Sequence, residues 1–158
     1  MAEGGAEQRA FFRRWPTGIS VVVAEHEGRR AGLTVSTLVS LSLEPPHVGV
    51  SIARDAAMHE LLREAGGFAA SLLAGGQEWL AQHFARGVPP IGMWNGVATE
   101  EGARGAPLLV GAVGWLECRL ASEHAVGDHT FFVAEVESVR LGVAAPPLVH
   151  HEGGYRTL

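Results

Sequence analysis

Hydroxyl side chains recur through one apolar stretch of the sequence, residues 31–52 (AGLTVSTLVSLSLEPPHVGVSI). They are Thr34, Ser36, Thr37, Ser40, Ser42 and Ser51. A buried hydroxyl must find a hydrogen-bond partner, and a core strand has no need of so many. Two explanations stay open. The serines satisfy backbone groups at turns and strand edges, or they form, with strand-end amides, a cradle for a polar, planar ligand.

A second candidate site follows at residues 53–55, where Ala-Arg-Asp opens a predicted helix. Apolar residues then repeat at helical spacing: Met58, Leu61, Leu62 and Ala65. We expect Asp55 to be the N-cap and Gly66-Gly67 to end the helix. Free amides and the helix dipole favour an anion at the start of such a helix, and Arg54 adds positive charge. The alternative is a solvated arginine beside an ordinary cap.

The sequence contains eight histidines, which raises the question of a metal. His150 and His151 are adjacent in a predicted strand, so their side chains point to opposite faces and cannot bind one ion together. The sequence has no cysteine pair, nucleophile elbow, Walker loop or Gly-x-Gly-x-x-Gly fingerprint. We therefore predict no metal site and no Rossmann unit. Three tryptophans are predicted in the core or at a subunit contact: Trp79, Trp94 and Trp115.

Short strands separated by turns must position these residues. Helices are predicted over Ala6–Trp15, after Asp55, and around Leu80, Ala81 and Phe84, with a long loop from Arg86 to Gly105. Strands are predicted at Gly18–Ala24, at two places within residues 31–52 joined across Ser40 to Pro46, and at Phe68–Leu73, Ala112–Ala125, Thr130–Leu141, Leu148–His151 and Tyr155–Leu158. A phase slip after Val136 predicts a β-bulge. The pattern predicts a mainly β fold, an antiparallel barrel with two or three short helices.

Length and composition limit the class of protein. The 158 residues form one predicted domain, 1–158, with 47% hydrophobic and 18% charged residues. The net charge is −5, and the twelve basic residues, all arginines, are scattered, so we expect no nucleic-acid partner. Cys118 is the one cysteine, which excludes an intrachain disulfide. No signal peptide or membrane span is visible, and we expect a soluble, cytoplasmic protein with no membrane partner.

Two adjoining motifs, Gly32-Leu33-Thr34-Val35-Ser36-Thr37 and Ser40-Leu41-Ser42-Leu43-Glu44-Pro45-Pro46, closely resemble the signature of the flavin reductase-like, FMN-binding split-barrel family. The resemblance continues in order through Arg14-Trp15-Pro16-Thr17-Gly18, Gly67-Phe68-Ala69, Gly127-Asp128-His129 and Gly154-Tyr155-Arg156. It spans nearly the whole chain. It implies a Greek-key split β-barrel, a homodimer, and an NAD(P)H-dependent flavin reductase that supplies reduced flavin to a partner monooxygenase.

The resemblance also implies roles for individual residues. The flavin, FMN or alternatively FAD, is expected to contact Thr34, Val35, Ser36, Thr37, Ser51, Ala53 and Arg54, with Phe84 and Arg86 as further contacts. Its phosphate is expected at Arg54. Gly127-Asp128 alone indicates only a turn, but in similar reductases this tripeptide lies where the nicotinamide docks. His129 is then expected to orient NADH or NADPH.

One departure from the family pattern concerns the phosphate. Similar proteins carry hydroxyl residues just after the arginine, whereas this chain has Ala56, Ala57 and Met58. The phosphate is then expected on backbone amides, Arg54 and either His59 or Arg86. Two alternatives therefore remain: a flavin-binding protein of this fold without reductase turnover, and a β-barrel protein with no cofactor. Hydride transfer itself requires no protein acid, base or nucleophile, because aligned cofactor rings carry it out.

Overall fold

Strands dominate residues 3–85 and 91–158, the part of the chain that the computed structural model describes. Within those residues the helices are α1 (Glu3–Arg13), α2 (Ala57–Ala65) and α3 (Glu78–His83). The first six strands are β1 (Thr17–Gly18), β2 (Ser20–His26), β3 (Arg29–Val35), β4 (Val39–Leu43), β5 (Pro46–Ala53) and β6 (Gly67–Leu72). The others are β7 (Thr99–Glu101), β8 (Pro107–Leu109), β9 (Gly114–Val126), β10 (His129–Leu141), β11 (Leu148–His151) and β12 (Gly154–Thr157).

Seven strands form one antiparallel sheet in the order β3-β2-β6-β9-β10-β5-β4. Side chains from five of them, Val22, Val50, Phe68, Cys118 and Phe132, meet in a single buried cluster. The sheet therefore curls around one core, while its two edge strands, β3 and β4, stay unpaired with each other. This arrangement confirms the predicted mainly β split barrel with three short helices.

Helix α2 closes the core of the barrel. Its buried residues Met58, Leu61 and Leu62 repeat at i, i+3 and i+4, and all three belong to the central cluster. Gly66 ends the helix in the left-handed conformation, with φ of 68°, and its N–H donates to Leu62 and Arg63 carbonyls. The predicted helix end is confirmed.

A second cluster packs α3 and the segment after it against the other face of β2 and β6. Val21, Val23 and Ala69 lie on the sheet side of this cluster, and Leu80 and Phe84 lie on the helix side. Residues of α1 do not belong to either cluster. Helix α3 is thereby fixed beside β3, where the hydroxyl-rich stretch begins.

The structure corrects three details of the predicted elements. Residues 31–52 form three strands, because Ser40 to Leu43 belong to β4 and only Glu44 and Pro45 form the turn. Ala56, and not Asp55, is the N-cap of α2, with no side-chain cap hydrogen bond. The predicted loop from Arg86 to Gly105 contains β7, which pairs with β8; residues 86–90 of it lie outside the described residues.

The irregularity predicted in the long hairpin is confirmed. The register of β10 against β9 shifts between Val133 and Ala134 and again between Val136 and Ser138. The hairpin is 13 residues long on each side, and its turn is confined to Gly127 and Asp128. The bulges increase the local twist of the two strands.

Candidate functional site

A cavity of about 1050 Å³ lies where α1 approaches the segment that links β3 to β4. Aromatic side chains from two elements border it: Phe12 and Trp15 from α1 and its end, and Phe131 from β10. Ser36 and Ser40 come from the linking segment and β4, and Ser51 comes from β5. The cavity thus combines flat apolar walls with a few hydroxyl groups, as small-molecule sites commonly do.

Thr37 fixes the linking segment onto β5. Its hydroxyl donates to the Ser51 carbonyl at 3.1 Å and accepts from the Ser51 N–H at 3.1 Å. Because the pairing of β4 with β5 ends at Val39 and Gly49, this side chain takes the place of a backbone partner for Ser51. It holds Ser36 and Ser51 at one side of the cavity.

A second group of residues lies at the hairpin end, which we define as residues 53–55 and 127–129. The Arg54 N–H donates to the Asp128 carbonyl at 3.0 Å, and Ala53 pairs with His129 across the two strands. His129 Nδ1 lies 2.7 Å from Asp128 Oδ1, with the imidazole partly exposed. Arg54 and His129 are therefore held side by side at one edge of the barrel.

The cavity and the hairpin end are neighbours along β5. Ser51 borders the cavity and Ala53 belongs to the hairpin end, and a strand advances by roughly 3.3 Å per residue. The two positions are therefore about 7 Å apart on the same face of the strand. One elongated ligand can contact both regions.

The start of α2 lies beside Arg54, and two of its backbone amides already have partners. The amides of Ala56 and His59 already donate to the Ala53 and Ala56 carbonyls. The helix begins at Ala57, and the positive end of its dipole faces the hairpin end. Ala56, Ala57 and Met58 carry no hydroxyl that could bind a phosphate. A phosphate here would therefore be held by backbone amides and by the Arg54 guanidinium.

His59 lies beneath this surface and is 6% exposed. Its Nε2 lies 2.7 Å from Thr130 Oγ1, and its Nδ1 lies 3.0 Å from Glu60 Oε1. A carboxylate only accepts, so Nδ1 donates to Glu60 and Nε2 accepts from the Thr130 hydroxyl. Hydrogen bonds from His59 and from Arg63 lower the pKa of the Glu60 carboxyl. With both nitrogens engaged, this imidazole joins α2 to β10 beneath the hairpin end.

Three of the predicted flavin contacts serve the fold. The Thr34 hydroxyl donates to the Ala81 carbonyl at 2.7 Å, and its N–H donates to the Phe84 carbonyl at 2.9 Å. Val35 belongs to the central core cluster, and Phe84 is fully buried in the second cluster. Their placement does not support direct contact with a ligand in the cavity. Arg86 lies outside the described residues.

Sequence reasoning missed the aromatic walls of the cavity. The sequence predicts Phe12 and Trp15 as part of a helix and assigns them no contact with a ligand, although Trp15 is 60% exposed. Phe131 follows His129 by two residues in the same strand, so both point to the same side of β10. That alternation was the available signal, and it extends the site from His129 towards Ser51, the partner of Phe131 in β5.

The residues around the cavity fit a flavin. An isoalloxazine ring is flat and largely apolar, with polar atoms along one edge, which suits aromatic walls bordered by Ser36 and Ser51. A phosphate on the same molecule suits Arg54 and the start of α2. Among the described residues, no group of three His, Cys, Asp or Glu side chains is placed to bind a metal ion.

Cys118 lies inside the barrel and takes no part in this site. It is fully buried in the central cluster, and burial raises the pKa of its thiol to about 12. The sulfur therefore stays protonated at neutral pH and is a packing group.

No helix among the described residues is long and apolar enough to cross a membrane.

The sequence of this chain matches those of known reductases. Residues 12–158 match the family model described as flavin reductase like domain. The reductase component of 4-hydroxyphenylacetate 3-monooxygenase from Thermus thermophilus is 41% identical over 145 residues, which cover 92% of this chain and 91% of that protein. The NADH-dependent FMN reductase AsuE2 of Streptomyces nodosus subsp. asukaensis is 37% identical, over 98% of this chain and 85% of its own.

A solved structure agrees with these relatives. The NADH:FAD oxidoreductase SgcE6 of Streptomyces globisporus C-1027, in complex with NAD and FAD fragments, superposes with a TM-score of 0.91 and 34% sequence identity. The match covers 98% of this chain and 92% of that one.

Proposed function

Because the chain belongs to the family of flavin reductase like domains, we propose that it is an NADH-dependent flavin reductase. The observation that carries the proposal is the continuity between the cavity and the hairpin end along β5. An apolar ring site, a phosphate site and an exposed imidazole occur there in one line. A flavin bound there would accept a hydride from a reduced nicotinamide and would then leave the site as reduced flavin.

The side chains bind and align, and none acts as an acid or base. Phe12, Trp15 and Phe131 provide flat surfaces for rings and keep water away from them. Ser36 and Ser51 provide hydrogen bonds for the polar edge of the isoalloxazine ring. Arg54 and the start of α2 hold the phosphate, and His129 orients the nicotinamide from the mouth of the site. Alignment of this kind supplies much of the rate of a bimolecular step.

FMN is the proposed flavin and NADH the proposed reductant. One arginine and one helix start suit a single phosphate, which FMN has. Relatives of this chain carry the names of both FMN and FAD reductases, so FAD is the second candidate. The same relatives are named for NADH, and NADPH is therefore the less favoured reductant.

The proposed partner is a flavin-dependent monooxygenase. The Thermus relative is named as the reductase component of a monooxygenase, 4-hydroxyphenylacetate 3-monooxygenase. A reductase that holds its flavin through non-covalent contacts alone can release it in the reduced form. Release would let a separate oxygenase component use the reduced flavin, and we expect this exchange in the cytoplasm.

We also propose that the protein works as a homodimer. Large apolar side chains are exposed along α1 and the edge strand β4: Phe11, Phe12, Trp15, Leu41 and Leu43, the last with 85% of its surface exposed. An edge strand with such side chains is suited to association. Sedimentation at micromolar concentration should give two subunit masses, and a single subunit mass would contradict this proposal.

The function is tested by mixing the purified protein with NADH and FMN and following the loss of NADH absorbance. NADH should be consumed only when both protein and flavin are present. A protein that binds flavin but oxidises no NADH would instead be a flavin-binding protein without turnover, the alternative that the apolar run Ala56-Ala57-Met58 keeps open. A protein that binds no flavin would overturn the proposal.

A further inference from the structure

Gly49 lies in the middle of β5, where strands normally carry side chains. A Cβ atom at this position would overlap the Phe131 Cζ atom and would lie 2.9 Å from Phe131 Cε2. It would also lie 3.0 Å from Leu41 Cδ1. A glycine inside a strand often marks a place where another group approaches the backbone closely. Here the approaching group is the ring of Phe131.

The register of the sheet explains how the ring reaches Gly49. Phe131 is directly opposite Ser51, and Gly49 is two residues from Ser51 on the same face of β5. The ring therefore lies diagonally across β5, as aromatic residues do when they cover a glycine on a neighbouring strand. Leu41 of β4 approaches the same position of Gly49, and Phe131 borders the cavity together with Ser51.

We propose that Gly49 and Phe131 form a flavin-binding pair, in which the absence of a side chain at Gly49 lets the Phe131 ring lie flat and form the surface against which the isoalloxazine ring packs. This inference rests on the proposed flavin reductase function and extends it to two residues. Gly49 is the positioning residue, because it acts only through Phe131. Phe131 is the residue that touches the flavin.

The pair predicts the effect of adding one methyl group. Gly49→Ala places a Cβ where the Phe131 ring now lies, and the ring must tilt away from the sheet into the cavity. The cavity beside Ser51 then becomes smaller, so every flavin loses affinity, whichever phosphate group it carries. We expect riboflavin and FMN both to bind roughly tenfold more weakly, in line with the effect of overpacking a close contact.

Riboflavin and FMN titrations, followed by quenching of flavin fluorescence, test the proposal on the full chain. Gly114→Ala is the matched control, since its new Cβ would meet no atom closer than 3.5 Å and Gly114, in β9, does not itself border the cavity. The control should bind both flavins as the unchanged protein does. A thermal unfolding curve for each variant shows whether it is folded.

The double variant Gly49→Ala with Phe131→Leu separates a displaced ring from a damaged strand. Leucine lacks the ring atoms that the new methyl group would meet. Its flavin affinity should therefore return to that of Phe131→Leu alone, about two- to tenfold below the unchanged protein, the value expected for one lost aromatic contact. A double variant that binds flavin more weakly than Phe131→Leu alone would overturn the inference.

Other outcomes are equally decisive. Equal flavin binding by Gly49→Ala and Gly114→Ala would overturn the inference while leaving the reductase function intact. Absence of flavin binding by the unchanged protein would instead remove the function on which the inference depends. If Gly49→Ala does not fold, Phe131→Leu and Phe131→Ala carry the test alone. Phe131→Ala should weaken riboflavin binding more than Phe131→Leu does. Unchanged riboflavin affinity in both variants would overturn the inference.

Discussion

The cavity and the hairpin end lie about 7 Å apart on β5, yet they are built in opposite ways. The cavity draws its walls from α1, the segment after β3, and strands β4, β5 and β10. The hairpin end consists of the end of β5 and the turn before β10, joined by the pairing of Ala53 with His129 and by the hydrogen bond from Arg54 N–H to the Asp128 carbonyl. Apolar recognition thus depends on the whole fold, whereas recognition of charge depends on a few adjacent residues. Variants can therefore affect one region and spare the other.

The largest expected effect removes the charge at the hairpin end. Arg54→Ala should weaken FMN binding roughly tenfold to more than a hundredfold, because a charge-assisted hydrogen bond contributes about 1.5–3 kcal/mol. Riboflavin lacks the phosphate and should bind unchanged. Fluorescence titration with both flavins measures the difference, and Arg119→Ala, in a surface ion pair with Glu135, is the matched control. Equal weakening of the two flavins would break the division between the regions.

A second variant tests the support beneath the hairpin end. His59→Ala removes both imidazole hydrogen bonds and leaves the buried Thr130 hydroxyl without that partner, which should lower the free energy of unfolding by about 2–3 kcal/mol. Urea denaturation measures this loss. The preference for FMN over riboflavin should stay as it is. A lost preference at unchanged stability would place His59 in direct contact with the phosphate, as the sequence first suggested.

The third variant concerns the nicotinamide. His129→Ala should raise the KM for NADH and lower kcat/KM roughly 5- to 30-fold, because one neutral contact and part of the alignment are lost. FMN affinity should hardly change. Steady-state kinetics at saturating FMN give the values, with His26→Ala, a histidine at the end of β2, as control. Complete loss of turnover would instead assign a chemical role to the imidazole.

The smallest expected effects compare two hydroxyls from the same stretch. Ser51→Ala should weaken riboflavin about fivefold, the value of one neutral hydrogen bond, and leave stability unchanged. Thr34→Val should do the opposite, since it removes the donor to the Ala81 carbonyl. It should cost about 1 kcal/mol of stability and leave riboflavin affinity as it was. Riboflavin titration and urea denaturation of both variants reveal the contrast, and matching behaviour would contradict it.

The sequence predicted the elements better than it predicted which side of each element a ligand meets. The helical spacing of Met58, Leu61 and Leu62 identified α2, and Gly66 identified its end. Ser40 to Leu43 alternates polar and apolar residues, which is a strand pattern, but the neighbouring prolines suggested that the whole segment was a turn. Asp55 has the chemistry of an N-cap, yet the chain enters the helix one residue later.

The local surroundings of the predicted site residues followed from the sequence where they lie in short segments, but not where distant segments meet. The helix start beside Arg54 and the turn before His129 could be predicted from their own short motifs, while the binding roles of both residues came from the family resemblance and stay predictions. The surroundings of Phe84 could not be predicted, because only the packing of α3 against β2 and β6 shows that it is buried. Phe131 and Gly49 escaped notice for a similar reason: their contact depends on the register between β5 and β10, which a single sequence does not specify.

The burial of its sulfur atoms affects how well this protein resists oxidation during turnover. Reduced flavin that is released into solution reacts with dissolved oxygen and yields hydrogen peroxide, which attacks thiolates and exposed thioethers. Cys118 is fully buried, and the side chains of Met58 and Met93 are 2% and 8% exposed. The Cys118 thiol, with its pKa raised to about 12, offers almost no thiolate to an oxidant. The fold therefore shields these three sulfur atoms from the by-product of its own proposed reaction.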